Sequence, residues 1–421
     1  MRNIAIIGSG TTSLYIAHKL LQKGYAVTVY SDRTADDWLQ RSAPTGTAYL
    51  YERNVMLERE IGIEHWYDTA IHGQGVHLDF QPTVGAERLV LIGNFTGEGA
   101  AIDIRLRISR WMNDFENGGG KLVIGAVDLA ALDAIAHAAD LTLLAAGKGE
   151  VGKVIPRDPV RSVYDRPQRM LSMGIVEGVT HPCPDRADIR PVKFNFFADA
   201  GEYFWVPYMH KDVGPTWCWL LEAKPGSYLD CMADVRSAVD ANNAMRELIK
   251  TYAPYEWPHV QHMQPVAGDD YAWLKGAFPP TVREASARLP GGGLVIPVGD
   301  TAITFDPIGG QGGNCAQRNA KFVADAIIAR NDAEFDAGWA ATLRDDFWHQ
   351  HGWAAYEFNN ILLEPLTEAG QIVLGYASQH RAFADQHFIG NMASPSALFP
   401  WLSDPSLARA KIAEFEQSTT A

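Results

Sequence analysis

Cysteine is scarce in this chain. Four are present, Cys183, Cys218, Cys231 and Cys315, and no two form a Cys-x-x-Cys pair. That spacing excludes the common zinc and dithiol motifs and offers no disulfide framework. Long hydrophobic runs are missing too, so no segment approaches the roughly 20 residues that span a bilayer. Positive charge is in deficit: 36 Lys and Arg stand against 50 Asp and Glu, a formal net charge of −14. A surface of that sign repels nucleic acid and anionic membranes, and neither is expected as a partner. No signal-peptide pattern precedes the first apolar run. A reduced, cytoplasmic protein is the expectation. His349 and His351 lie two apart with no Cys or carboxylate cluster to complete a ligand set. They read as surface or capping residues, and no metal is expected.

What is present is an ordinary enzyme-like composition over 421 residues. That length exceeds one simple core and suggests interleaved domains. Asn3 to Ile7 is a short apolar run, expected to be a buried parallel strand. The turn Gly8 to Ser13 leads into "LYIAHKLLQKG", where Leu14, Ala17, Leu20 and Leu21 recur at helical spacing and Gly24 ends the helix. "YAVTVY" follows as a second strand. "DIRLRISRWMNDFENGGG" reads as an amphipathic helix, and "KLVIG" and "DLTLLAAG" as further buried strands. The middle of the chain changes character. "PVKFNFFADAGEYFWVPYM" and "PTWCWLLEA" alternate and are rich in aromatics, as in an antiparallel sheet of its own. "GGGLVIPVGD" returns to a buried strand, and "GGNCAQRNAKFVADAIIA" to a helix. The pattern beyond is mainly helical. These segments divide the chain into a nucleotide-binding part over 1–167 and 266–330, an inserted sheet domain over 168–265, and a helical region over 331–421.

"IAIIGSGTTS", Ile4 to Ser13, is a glycine-rich turn between a strand and a helix. Gly8 permits the tight turn, and Gly10 lets backbone amides approach a pyrophosphate. The helix start at Thr11 and Thr12 adds its unpaired N–H groups and dipole. Ser13 replaces the usual third glycine at small packing cost, and its hydroxyl can bond locally. About twenty residues on, "YSDR" places Ser31 or Asp32 to hold a ribose and Arg33 to reach a phosphate or adenine. A second glycine-rich helix start lies far downstream in "VGDTAITFDPIGGQGGN". There Asp300 can accept ribityl hydroxyls, and the loop can offer amides to the electron-rich edge of a flavin. Two such starts fit one long cofactor, FAD; NAD would not need the second.

At this point "GSGTTS", "VTVYSDR", "DIRLRISRWM", "AAGKGEVGK", "RPQRML" and "GDTAITFDPIGGQGGN" resemble the oxygenase components of the two-component styrene and indole monooxygenases. Order and spacing match over nearly the whole chain. The resemblance implies an α/β glutathione-reductase-like, Rossmann-type FAD-binding domain with an inserted, mainly antiparallel β-sheet substrate domain and a helical C-terminal region. It implies that Gly8, Gly10 and Ser13 hold the pyrophosphate, Arg105 reaches the cofactor, and Asp300 binds the ribityl chain. Pro307, Gly309, Gly310, Gln311, Gly312, Gly313 and Asn314 would frame the flavin ring. Gly147 of "AAGKGEVGK" joins the cofactor set.

Single-component hydroxylases carry an Asp-Gly pair where this chain has Gly147-Lys148. Poor nicotinamide binding follows, so reduced FAD would come from a separate NADH-dependent flavin reductase. The resemblance further implies oxygen addition at the flavin C4a position and transfer from the hydroperoxide to a small aromatic alkene, an indole or a sulfide. Such transfer requires no catalytic acid or base, and none is assigned. "APTGTAYLY" and "EYFWVPY" are the candidate substrate walls, with Gly46, Ala48, Leu50, Phe204, Trp205 and Tyr208 as contacts. Along a strand Phe204, Trp205 and Tyr208 cannot all face the ligand. Gly46, Ala48 and Leu50 match neither the styrene nor the indole pattern. Competing readings are a self-sufficient NAD(P)H-dependent hydroxylase, a flavin halogenase (Trp217 to Glu222 has the tryptophans but no Ile-Pro) and a non-catalytic flavin-binding protein. A homodimer is compatible with any of these.

Overall fold

The computed structural model describes residues 2–147, 149–182 and 188–420. Cys183 and Lys148, both weighed above, lie outside these residues.

The chain opens with β1 (Asn3–Ile7), α1 (Thr11–Gln22) and β2 (Ala26–Ser31), followed by α2 (Ala35–Gln40), β3 (Tyr49–Leu50) and α3 (Glu52–Glu60). Next come β4 (His72–Gln81), β5 (Leu89–Ile102), α4 (Ile104–Asn117), β6 (Lys121–Ile124), α5 (Leu129–Ala138) and β7 (Leu141–Leu144). β1 pairs in parallel with both β2 and β7. Ile4 and Ile6 pack into one core with Leu14, Val27, Val29 and Trp111, while Ile7 packs into another with Leu132 and Leu144. Burial on both faces is why β1 reads as an unbroken apolar run rather than an alternating one.

The second half supplies β8 (Met170–Glu177), β9 (Pro191–Phe197), β10 (Gly201–His210), β11 (Gly214–Ala223), α6 (Ala238–Tyr252) and α7 (Trp257–Val260). Short strands follow: β12 (Gln264–Pro265), β13 (Trp273–Gly276), β14 (Thr281–Val282), β15 (Ala287–Arg288), β16 (Leu294–Pro297) and β17 (Ile303–Thr304). The long helix α8 spans Gly312–Arg330, and α9 (Ala337–Phe347), α10 (Trp353–Leu363), α11 (Glu368–Gln379), α12 (Arg381–Phe383) and α13 (Pro405–Thr420) complete the chain.

One sheet has the order β15-β16-β7-β1-β2-β6, so β16 returns from far downstream to join the N-terminal strands. α1 packs against α8 and α4 on this sheet. β6 departs from the expected burial: it forms the sheet edge and leaves Ile124 48% exposed. An edge strand has a partner on one side only, so its outer side chains meet solvent.

The aromatic middle forms hairpins, but not a sheet of its own. The second sheet runs β12-β8-β11-β10-β9-β4-β5-β3, with β13 also on β8, and it recruits β3, β4 and β5 from the first third of the chain. β4 pairs with β9 in parallel, so the sheet is mixed. β4 and β5 escape the sequence pattern because glycines interrupt it. Gly99, for example, lies so close to Tyr49 that an added Cβ would collide with the ring. The segment 168–265 also holds a substantial helix, α6, on one face of this sheet, where Met245 and Ile249 meet Trp205 and Trp219. On the other face Phe204, Val206 and Tyr208 join Phe383, Phe388 and Trp401 of the helical C-terminal region.

Candidate functional site

Gly8 ends β1 with φ +107°, and a Cβ there would overlap the Ala145 carbonyl at the end of β7. Only glycine permits that turn beside the neighbouring strand. Its N–H donates to Tyr30 O at 2.8 Å, holding the turn against β2. Gly10 precedes α1, which carries no side-chain cap, and the space beside Gly10 is open. The first N–H groups of the helix are therefore available to an anion.

Ser31 and its neighbours hold this turn. Ser31 is buried and its Oγ lies 2.8 Å from Ser9 Oγ, while Trp38 Nε1 donates to Ser9 Oγ at 3.0 Å. Ser31 is thus a strut inside the protein. Asp32 and Arg33 pair with each other at 2.7 Å on the exposed lip, and Arg33 stacks over Trp38. Ser13 departs from expectation. It is fully buried in α1 and its hydroxyl has no hydrogen-bond partner, so it neither bonds locally nor meets solvent. The small side chain serves close helix packing, the task of the glycine it replaces.

The second glycine-rich start sits against the first. Gly299 has φ +58°, and a Cβ on it would stand 2.6 Å from Thr12 Oγ1. Gly299 N–H donates to Asn319 Oδ1 of α8 at 2.9 Å, and Thr301 Oγ1 donates to Gly147 O at 3.3 Å. Thr12 of α1, the Gly299–Thr301 turn that carries Asp300, Gly147 and α8 thus form one continuous assembly. Thr11 is partly exposed at its edge, as is Asp300.

Asp306 caps the short turn Pro307–Gly309 through Ile308 N–H, and Gly310 follows in the left-handed conformation at φ +63°. Asn359 of α10 clamps the turn: Gly309 N–H donates to Asn359 Oδ1 at 3.0 Å, and Asn359 Nδ2 donates to Asp306 O. Gln311 is buried and donates to Gly309 O and Met392 O. Asn314 spends its amide on the protein, accepting from Tyr51 N–H and Asn54 Nδ2 and donating to Tyr49 O and Gly310 O. Gly310 and Gly313 remain exposed, Pro307 and Gly312 partly so, and α8 has no side-chain cap. Gln311 and Asn314 are therefore braces, and the glycine backbone is the surface on offer.

These residues fit a long dinucleotide. Two uncapped helix starts share one assembly, and open space lies beside Gly10, Gly46 and Gly147. Arg105 is placed differently. It is fully buried, forks onto Asp103 at 2.9 and 2.7 Å, and pairs with Asp269 at 2.7 Å. His210 Nε2 lies 3.2 Å away. Its donors are taken by the protein, so it joins the second sheet to α4 instead of projecting to a cofactor. Burial opposes its charge, yet the Asp103 and Asp269 carboxylates hold its pKa above the ordinary value. The only signal in the sequence was Asp103, the strand-to-helix junction two residues earlier.

The substrate candidates separate by face. Leu50 Cδ2 lies 3.8 Å from a Cβ position on Gly313, so the β3 segment borders the α8 start. Ala48 has φ +54°, an unusual left-handed conformation for a residue with a Cβ, and Gly46 precedes it in open space. Phe204 and Tyr208 share the face covered by the C-terminal helices. Trp205 is a correction: it points to the opposite, α6-covered face and donates to Glu256 Oε2 at 3.0 Å. Period-two alternation forces that split.

Comparison with known proteins shows what this chain is similar to. Residues 147–258 match the family model described as "Styrene monooxygenase A putative substrate binding domain". Styrene monooxygenase StyA of Pseudomonas fluorescens is 25% identical over 96% of each chain. StyA of a Pseudomonas species is 26% identical over the same share. Among solved structures, flavin-dependent brominase Bmp2 superposes with a TM-score of 0.67 at 15% identity, covering 99% of each chain. 2-Methyl-3-hydroxypyridine-5-carboxylic acid oxygenase gives 0.57 at 15%, covering 95% of this chain and 99% of its own. The two structures share the fold.

Proposed function

We propose, for a chain that is styrene monooxygenase-like along its whole length and an FAD-dependent monooxygenase, that it is the oxygenase component of a two-component system. Reduced FAD would arrive from a separate NADH-dependent flavin reductase, and the oxygen acceptor would be a small aromatic alkene, an indole or an aryl sulfide. The observation that carries this reading is the contact of Thr12 with Gly299, which joins two uncapped, glycine-rich helix starts into one cradle.

Bound there, the flavin would supply oxygen activation. The chain's own residues would do the rest. Backbone N–H groups from Gly10 to Thr12 would take the pyrophosphate, with Asp32 and Arg33 at the nucleoside end. Asp300 would meet the ribityl chain, and Pro307 through Gly313 would offer amides to the ring. Arg105, Gln311, Asn314, Ser13 and Ser31 would act from behind as packing and bracing residues. Gly46, Ala48, Leu50, Phe204 and Tyr208 would line the apolar side and keep water from it. The proposed division keeps a nucleotide-binding part over 1–167 and 266–330, an inserted sheet part over 168–265 and a helical region over 331–421, although β3–β5 and β13, from outside 168–265, pair into the second sheet.

The test is a coupled assay with the chain, a flavin reductase, FAD, NADH and separate pools of styrene, indole and aryl sulfides. Epoxide, indigo or sulfoxide formed only with both proteins supports the reading. NADH consumption by the chain and FAD without the reductase would transfer it to the self-sufficient hydroxylases. FAD binding without oxygenated product would leave a carrier.

A further inference from the structure

Three residues one turn apart lie along one face of α8: Asn314, Arg318 and Phe322. Asn314 binds the start of α3 through Tyr51 N–H and Asn54. Phe322 packs its ring 5.5 Å from Phe347 and 6.1 Å from His351, in the turn 348–352. Arg318 lies between these two anchor points. It is 7% exposed, and neither Nη1 nor Nη2 has a hydrogen-bond partner among the described residues.

The groups around it deepen the anomaly. Arg53 of α3 and His351 both act on Arg318 as like charges or potential like charges. Cys315 and Tyr51 are its other polar neighbours, and burial keeps both protonated and neutral, the Cys315 thiol pushed up to about 11. A guanidinium does not give up its proton at physiological pH, and an unpaired buried charge costs several kcal/mol. Among the described residues no carboxylate pairs with Arg318, and its one polar contact is with the neutral Cys315 thiol.

We propose that Arg318, with Arg53 and His351, forms an anion site at the junction of α3, α8 and the turn 348–352 that takes a carboxylate or phosphate oxyanion. The two Nη groups make a planar fork, which matches two oxygens of an oxyanion better than a spherical halide. Arg53 is exposed, with Nη1 engaged by Ala393 O and Ser394 Oγ, and it forms the solvent side of the site. The site is separate from the flavin cradle: Arg318 is buried, whereas the surface α8 offers to the cofactor is the exposed Gly310 and Gly313.

The experiment uses the full chain freed of FAD and phosphate. Thermal melts are recorded with increasing inorganic phosphate, with acetate, and with sodium chloride at matched ionic strength. For the wild type, phosphate at about a hundredfold excess over its Kd raises Tm by about 3–5 °C, and chloride does not. R318M melts at or above the wild type without phosphate and shows no phosphate response. R53A, altered at an exposed position, folds and binds phosphate about tenfold more weakly by calorimetric titration. Equal responses to phosphate and chloride, or a full phosphate response in R318M, overturns the proposal. FAD titration of R318M separates the two sites: unchanged FAD affinity is expected. Joint loss of FAD and phosphate binding would assign Arg318 to the flavin site and overturn a separate one.

Discussion

The N–H of Gly309 and the Oδ1 of Asn359 lie 3.0 Å apart, joining the proposed flavin-ring turn to a helix fifty residues downstream. Asn359 also donates to Asp306 O, so one side chain fixes both ends of the turn. N359L removes both bonds at similar volume and strands a buried amide and carbonyl. FAD affinity is expected to fall roughly tenfold, as a loss of about 1–2 kcal/mol implies. Flavin fluorescence titration checks this; unchanged affinity would detach Asn359 from the cofactor.

Gly299 is equally constrained. An alanine there carries a Cβ into Thr12 Oγ1 and must hold φ +58°. G299A is expected to lose about 1–3 kcal/mol of stability, with weaker FAD binding. The double variant G299A/T12A, which removes the Thr12 hydroxyl and methyl group, should recover part of that loss in chemical denaturation. D300A should weaken FAD retention, since Asp300 is assigned to the cofactor; unchanged flavin affinity by titration would count against that assignment.

Trp205 and Tyr208 separate structure from substrate. W205F loses the bond to Glu256 and is expected to cost about 1–3 kcal/mol without changing KM. Y208F removes a fully buried hydroxyl that has no partner, so stability should hold or rise. An altered KM in Y208F with unaltered KM in W205F would place the substrate on the Phe204–Tyr208 face.

The Asp306 turn rests on a second cluster. Glu202 and Glu222 face each other across β10 and β11, both buried, with Arg169 bonded to Glu202 at 2.6 Å. Glu222 also faces the Asp306 carboxylate, a like charge. Burial is the largest cause raising Glu202, to about 7, against the pull of Arg169. Burial raises Glu222 further, aided by Asp306 and Glu202. Folded pKa values above the ordinary 4.5 mean that the native state binds more protons than the unfolded one. The contribution is complete below 4.5 and is lost as pH rises through the folded values. Tm is therefore expected to decline from pH 6 to pH 9, and E222Q, neutral throughout, should flatten that decline. A parallel decline in E222Q would separate the cluster from the pH dependence.

Much of the nucleotide-binding half was legible because its signals are local. Gly8 and Gly10 between two apolar strands, and Asp300 before the α8 glycines, act within a few residues of chain. The second sheet was only half legible: hairpins β10 and β11 announce themselves by alternation, whereas β4 and β5 hide behind Gly73, Gly75, Gly93, Gly97 and Gly99. The bracing residues left no local mark. Asn359, Glu256 and Asp269 act on partners 50 or more positions away, and a lone polar residue in a helix or turn carries no sign of its destination. Arg105 shows the same limit: the sequence fixes its helix but not the acids that claim its fork.

β5 enters α4 with only Asp103 between them, and Asp103 caps that helix and grips Arg105. Arg105 in turn pairs with Asp269, from the far side of the inserted sheet. At this junction the chain has no slack linker, and the Arg105–Asp269 pair ties it to the segment between β12 and β13.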